Sequence, residues 1–278
     1  MAPILLSEDE FQQKIYAFKR LHDRITAEKA PDFSIIIPVR NEEKLLPSFL
    51  KSLLEADRTS NNVCTNKEYI FVINNTTDKS EDIIQDFIKQ NSNSLNAKII
   101  HSAPGVLNAF NAGIESRKLN GFVAKVDADI VLHPHDLALM YLYLIENPAT
   151  QASYSEPVVE LLNKYYSTSL YNDAKNKTKR LYLHGRTSIY RKNPFSIFDF
   201  EKIKNAGCIV EDIALSYGFI TYYGFDSIQA TPHAITYFTP EATKKERESK
   251  LIRSKKEIEC LEEKFPYFKL ITPIIQRR

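Results

Sequence analysis

The chain holds 278 residues with a formal net charge of +2, enough for one large α/β domain or two small ones. Its 43% hydrophobic and 26% charged content is that of an ordinary globular core. The longest apolar stretch, near 137–145, is far too short to span a bilayer, and no transmembrane segment is expected. The charge decides nothing about nucleic acid by itself, and none is expected as a partner. Cys64, Cys208 and Cys260 lie far apart, with no metal spacing and no full disulfide set, which points to a reducing compartment. Met1-Ala-Pro-Ile-Leu-Leu runs straight into Ser7-Glu-Asp-Glu10 and is not a signal peptide, so the expectation is cytoplasmic.

Residues 7–29 read as an amphipathic helix. Ser7 with Glu10 fits a capping box, and Phe11, Ile15, Phe18, Leu21 and Ile25 share a face. Pro31 breaks the chain. Phe33-Ser-Ile-Ile-Ile-Pro-Val39 is a buried strand, Arg40-Asn41-Glu42-Glu43 a polar turn, and 44–54 a helix. Strand, polar turn and helix open a nucleotide-binding α/β unit, but neither a Gly-x-Gly-x-x-Gly nor a P-loop is present, which disfavours a dehydrogenase or an NTPase. A second strand (67–73), the polar turn Asn74-Asn-Thr-Thr-Asp-Lys-Ser80, a helix (81–90), a short strand (97–101) and, after Pro104-Gly105, a helix (106–118) follow.

Gly121-Phe-Val-Ala-Lys-Val-Asp-Ala-Asp-Ile130 then reads as a central strand that stops on two aspartates. In an extended segment Asp127 and Asp129 point to one side, toward the crevice where open α/β sheets bind ligands. Two converging carboxylates call for a cation, and Mg²⁺ or Mn²⁺ suits oxygen ligands that also hold a diphosphate. Strands alternating with helices predict a mainly parallel sheet flanked by helices.

Beyond Pro134 come a helix (136–147), a strand (151–157), a Tyr-rich helix or loop (158–175), a basic stretch (176–180), a strand (187–191), a helix starting near Asp212, a strand or hairpin (218–228) and a charged helix (239–264). The expected division is a helical appendage at 1–30, a catalytic domain at 31–238 with a nucleotide-binding half (31–133) and an acceptor half (134–238), and a basic helix and tail at 239–278. The cations Lys244, Lys245, Arg247, Lys250, Arg253, Lys255 and Lys256 read first as a solvated face, and second as a surface for peripheral contact with the inner face of an anionic membrane.

Four stretches in order resemble glycosyltransferase family 2, the inverting GT-A enzymes that use nucleotide sugars. They are Ser34-Ile-Ile-Ile-Pro-Val-Arg-Asn-Glu-Glu43, Gly105 with Ala109-Phe-Asn-Ala-Gly113, Asp127-Ala-Asp129, and Val210-Glu-Asp-Ile-Ala-Leu-Ser216. The resemblance covers about 33–240 and implies an α/β GT-A fold, a UDP- or GDP-type sugar donor, a glycan, lipid-linked or small-molecule acceptor, and Mn²⁺ or Mg²⁺. It implies Asp129 as direct metal ligand, Asp127 on the ribose or sugar and beside the metal, Asp212 as general base and Glu211 as its orienting partner. Pro38, Arg40, Glu42, Asn75, Asn111, His184 and Arg186 would line the donor, and His233 stands where some relatives place a late metal ligand.

The chain departs from that pattern in two places. Asn74-Asn75-Thr76-Thr77 stands where the family usually has Asp-Asp-x-Ser, and Gly105-Val106 replaces Gly-Lys or Gly-Arg. Arg186, Arg191 or Lys125 could supply the missing cation. The Gln-x-x-Arg-Trp of processive synthases is missing, and the chain has no Trp. The competing readings are a glycosyltransferase-like binding protein without activity and a sugar-phosphate nucleotidyltransferase, whose Gly-rich first loop this sequence lacks.

Overall fold

A computed structural model of the chain describes residues 6–24, 31–161, 164–167, 183–197, 201, 204, 211–238 and 244–272. The first half alternates strictly: α1 (Glu8–Arg24), β1 (Phe33–Val39), α2 (Leu46–Ser60), β2 (Lys67–Asn74), α3 (Ser80–Asn91), β3 (Ala97–Ser102), α4 (Val106–Glu115) and β4 (Phe122–Val126). Then come β5 (Ile130–Leu132), α5 (Asp136–Glu146), β6 (Ala152–Leu161), β7 (Lys164–Ser167), β8 (Thr187–Tyr190), α6 (Glu211–Tyr223), β9 (Ile228–Phe238) and α7 (Lys244–Lys264).

The strands form one sheet in the order β3-β2-β1-β4-β8-β6-β9-β5, with β7 on β6. The β3-β2-β1-β4 half is parallel, as alternation with helices demands. β8 joins β4 antiparallel, β6 joins β8 antiparallel, and β9 runs parallel to β6. The fold is thus α/β with a mostly parallel sheet between helical layers. Side chains of β1 alternate between the layers: Ile35, Ile37 and Val39 enter the core under α2 and α5, and Ile36 the core under α4 and α6.

The capping box forms: Ser7 N donates to Glu10 Oε2 at 2.8 Å, and Glu10 N to Ser7 Oγ at 3.3 Å. Phe11 and Ile15 of α1 are buried in the main core, and Phe11 stacks on His135 at 3.7 Å between ring centroids. His135 Nε2 also meets Glu8 Oε2 at 3.1 Å.

Three expectations change. The stretch 218–228 is not a strand: α6 continues through Tyr223, because Ala214, Leu215, Tyr217, Phe219 and Ile220 are buried around the helix and packing overrides alternation. Gly224, at φ 83°, ends it by donating to Ile220 O at 2.9 Å. The Tyr-rich segment carries the end of β6 and the hairpin strand β7 instead of a helix; 168–182 lies outside the described residues. The aspartate strand stops at Val126, and Asp127-Ala-Asp129 forms the turn by which β5 leaves β4 to pair with β9. No helix among the described residues is long and apolar enough to cross a membrane. In α7 the side chains of Lys244, Lys245, Arg247, Lys250 and Arg253 lie outside the described residues, as does Cys208; Lys255 and Lys256 are exposed.

Candidate active site

The C-terminal ends of β1 and β2 carry paired loops. Asn41 and Asn75 take left-handed backbone at φ 56° and 52°, a conformation asparagine tolerates better than most residues. The loops hold each other. Thr77 N donates to Asn41 Oδ1 at 2.8 Å, Glu42 N to Ser80 Oγ at 2.8 Å, Glu43 N to Asp78 Oδ2 at 3.1 Å and Lys79 N to Glu43 Oε2 at 3.1 Å. Between them Glu42 is half-buried. Burial first, and then the charges of Asp129, Asp127 and Asp78, push its carboxyl up to about 7.

Asn74 explains its own departure from an aspartate. Its amide nitrogen donates to Ser102 Oγ at 2.8 Å, Ala103 O at 2.6 Å and Gly105 O at 3.1 Å, while its oxygen accepts from Gly105 N at 2.9 Å. This fixes the loop before α4 with Gly105 at φ 114°, a conformation suited to glycine. A carboxylate has no hydrogens for the two carbonyls.

Lys125, almost fully buried in β4, joins the two acidic motifs. Its Nζ lies 2.6 Å from Asp127 Oδ1 and 2.8 Å from Glu211 Oε1, and also donates to Gly185 O. Burial opposes the ammonium, but the Asp127 and Glu211 carboxylates outweigh it and drive its pKa up. The start of α6 is thereby bound to the end of β4. Asp212, next to Glu211, accepts from Gly185 N at 3.1 Å and from Ile213 N at 2.8 Å. Gly185 is glycine for proximity: a Cβ there would lie 2.6 Å from Asp212 Oδ2. Burial, and next the charge of Glu211, push the Asp212 carboxyl up to about 7.

Arg186 follows. Its carbonyl accepts from Asp127 N at 2.8 Å, its guanidinium lies 3.7 Å above the Phe238 ring, and Nη1 is 3.6 Å from Asp129 Oδ2. Burial, and then the Asp127 charge, raise the Asp129 pKa, and Arg186 counters them. Asp129 Oδ1 is buried without a hydrogen-bond partner among the described residues.

Asp127, Asp129, Glu211, Asp212, Arg186 and Glu42 therefore converge, and His184 adjoins Gly185. Pro38 is half-buried at the end of β1, while Arg40 and Asn75 are exposed beyond the strand ends. Asn111 bonds along its own helix to Glu115 at 2.8 Å. His233 is not brought to the aspartates. It sits at φ 65° in β9, on the side of Glu10 in α1, whose carboxyl its charge helps to lower after the Ser7 hydrogen bonds. Arg191 is no phosphate cation either: it donates to Leu144 O, Thr150 O and Asn147 O, closing the end of α5. Phe238 and Gly185 were missed as site residues; for Gly185 the signal was a glycine in a chain with only 7.

No three His, Cys, Asp or Glu side chains among the described residues form a metal cage. A small divalent ion held by one or two carboxylates and by phosphate oxygens needs none, and the buried, unpartnered Asp129 Oδ1 fits such an ion.

Residues 34–205 match the family described as Glycosyl transferase family 2, which covers more than half of the chain. The chain belongs to glycosyl transferase family 2. Its fold is the GT-A fold. Among solved structures, it is similar to the mannosyltransferase PcManGT from Pyrobaculum calidifontis in complex with GDP-Man and Mn²⁺, at TM-score 0.62 and 16% identity, over 96% of this chain and 77% of that one. It is also similar to glucosyl-3-phosphoglycerate synthase from Mycobacterium tuberculosis, in complex with Mn²⁺, UDP-Glc and phosphoglyceric acid, at TM-score 0.55 and 14% identity, over 93% and 84% of the two chains. S. aureus TarS 1-349 in complex with UDP-GlcNAc gives TM-score 0.50 and 19% identity; 77% of this chain aligns with 60% of that one. The chain thus spans less than two thirds of the TarS chain. No curated protein matches the sequence.

Proposed function

We propose that this family 2 enzyme transfers a sugar, with inversion, from a nucleoside-diphosphate sugar to an acceptor hydroxyl in cell-envelope or glycan biosynthesis. The observation that carries this reading is Asp212: a carboxyl held to about 7 by burial, fixed by Gly185 N and Ile213 N at the mouth of the aspartate turn. A base poised near neutrality both accepts a proton at working pH and retains driving force for transfer. One in-line attack by the acceptor oxygen, its proton taken by Asp212, inverts the anomeric centre. Glu211 and Lys125 hold the base and Asp127 in one rigid unit, and Asp127 faces the donor ribose or sugar. Asp129 would hold the divalent ion, Mn²⁺ or Mg²⁺, with Asp127 beside it; when bound, such an ion neutralises charge growing on the leaving diphosphate. Glu42 and Asn75 border the nucleoside. Relatives crystallised with UDP-GlcNAc, GDP-Man and UDP-Glc support a nucleotide-sugar donor of either base.

The decisive experiment is a thermal shift with UDP and GDP, with and without Mn²⁺, on wild type and Asp129→Ala, followed by turnover of the matching sugar donors. A metal-dependent shift lost in Asp129→Ala is expected, since stabilisation follows ligand concentration over Kd. No shift with either nucleotide in any arm would overturn the reading.

A further inference from the structure

Both aspartates of the turn already face a cation of the protein itself, and the two cations are held very differently. Lys125 is locked by Asp127, Glu211 and Gly185 O in a pocket where 2% of its side chain is exposed. It cannot leave without stranding two carboxylates. Arg186 is held loosely. At 3.6 Å its Nη1 is beyond a good hydrogen bond to Asp129 Oδ2, and it rests on Phe238 by a cation–π contact that fixes height but not direction. Its backbone is pinned through Asp127 N, which fixes the root of the side chain. Asp129 Oδ1 remains buried and unpartnered. The carboxylate is thus half-satisfied, by a charge that can be exchanged.

We infer that Arg186 is the resident counter-cation of the metal position: it pairs with Asp129 when no divalent ion is bound, is displaced from it by that ion, and turns along Phe238 to the donor diphosphate. This rests on the reading that Asp129 holds the metal. One guanidinium then serves in turn as stand-in cation and as the phosphate cation that Gly105-Val106 does not provide. Metal and nucleotide become coupled through it, because each frees the partner that the other needs.

The test is direct Mn²⁺ binding, read from the electron paramagnetic resonance of free Mn²⁺, for wild type, Arg186→Gln, Arg186→Lys and Asp129→Asn, each without nucleotide and with UDP or GDP. Without nucleotide, Arg186→Gln should bind Mn²⁺ about fivefold more tightly than wild type, the worth of one loose, partly screened ion pair. Arg186→Lys, which keeps the competing charge, should stay close to wild type, and Asp129→Asn should lose the ion in every arm. With nucleotide that advantage should disappear, Arg186→Gln gaining least. Equal or weaker Mn²⁺ binding by Arg186→Gln without nucleotide overturns the exchange. Mn²⁺ binding by no variant overturns it together with the metal role, and a nucleotide thermal shift in EDTA then separates that outcome from failure of the transferase reading.

Discussion

Asp212→Asn should separate the chemistry of the site from its stability. Burial and the Glu211 charge raise the native carboxyl from 3.8 to about 7. The folded state therefore binds this proton more tightly than the unfolded one, so stability falls as pH rises between those values and levels off above about pH 7. Each unit in that window is worth about 1.4 kcal/mol, so moving from about pH 5 to about pH 8 crosses about 2 units and costs the wild type about 3 kcal/mol. Asparagine does not titrate and removes that slope. Against this, the carboxylate accepts from both Gly185 N and Ile213 N. An amide can accept from one and turns its NH₂ against the other, a loss of about 1.5 kcal/mol. The variant should thus match the wild type near about pH 5 and exceed it by about 3 kcal/mol near about pH 8, a rise of about 5 °C in Tm for a chain of this size. Sugar transfer should fall by about 10²–10⁴. The assay is differential scanning fluorimetry across pH in EDTA, with product formation measured separately in the presence of Mn²⁺. A Tm difference from wild type that stays constant with pH would refute the assignment of the buried proton to Asp212.

Lys125→Met leaves the buried Glu211 and the partly exposed Asp127 without their cation and should cost about 3 kcal/mol, read by urea denaturation. Gly185→Ala sets a methyl 2.6 Å from Asp212 Oδ2 and should displace the base; kcat should fall about 10–100-fold with Tm little changed, because small misplacements at a reacting centre are expensive. Asn74→Asp removes the donors to Ala103 O and Gly105 O and should lower stability by about 2 kcal/mol in a melt near neutral pH, with partial recovery at acid pH where the carboxyl regains a proton.

The parallel half of the sheet was legible because each strand is short, apolar and bounded by a polar turn, and each helix has a clear face. The capping box at Ser7 and the helix at Glu211-Asp212 are local signals that local geometry honours. The second half was less legible. Nothing local says that Gly218 sits within a helix, since only burial on all sides makes Leu215 to Ile220 helical, nor that β6 runs on into a hairpin. In the site, the two acidic motifs were readable as types, but not the ion pair that joins them: Lys125 and Glu211 meet through β4 and α6, far apart in the chain. His233 misled because a histidine in the right order along a sequence need not lie on the right end of its strand. Asn74 looked like a lost acid, and its donor role appears only once Ala103 and Gly105 are placed beside it.

The mutual hold of the β1–α2 and β2–α3 loops has a kinetic meaning. The amides of Glu42, Glu43, Thr77 and Lys79 are each bonded across the gap to the other loop. Neither loop can lift without breaking the bonds of both, so these amides belong to one cooperative opening unit and should exchange with solvent at a common rate. A nucleoside seated between such walls meets a pocket whose entropy of ordering was spent when the chain folded, and selectivity for its base would come from a rigid frame and not from a loop that closes around it.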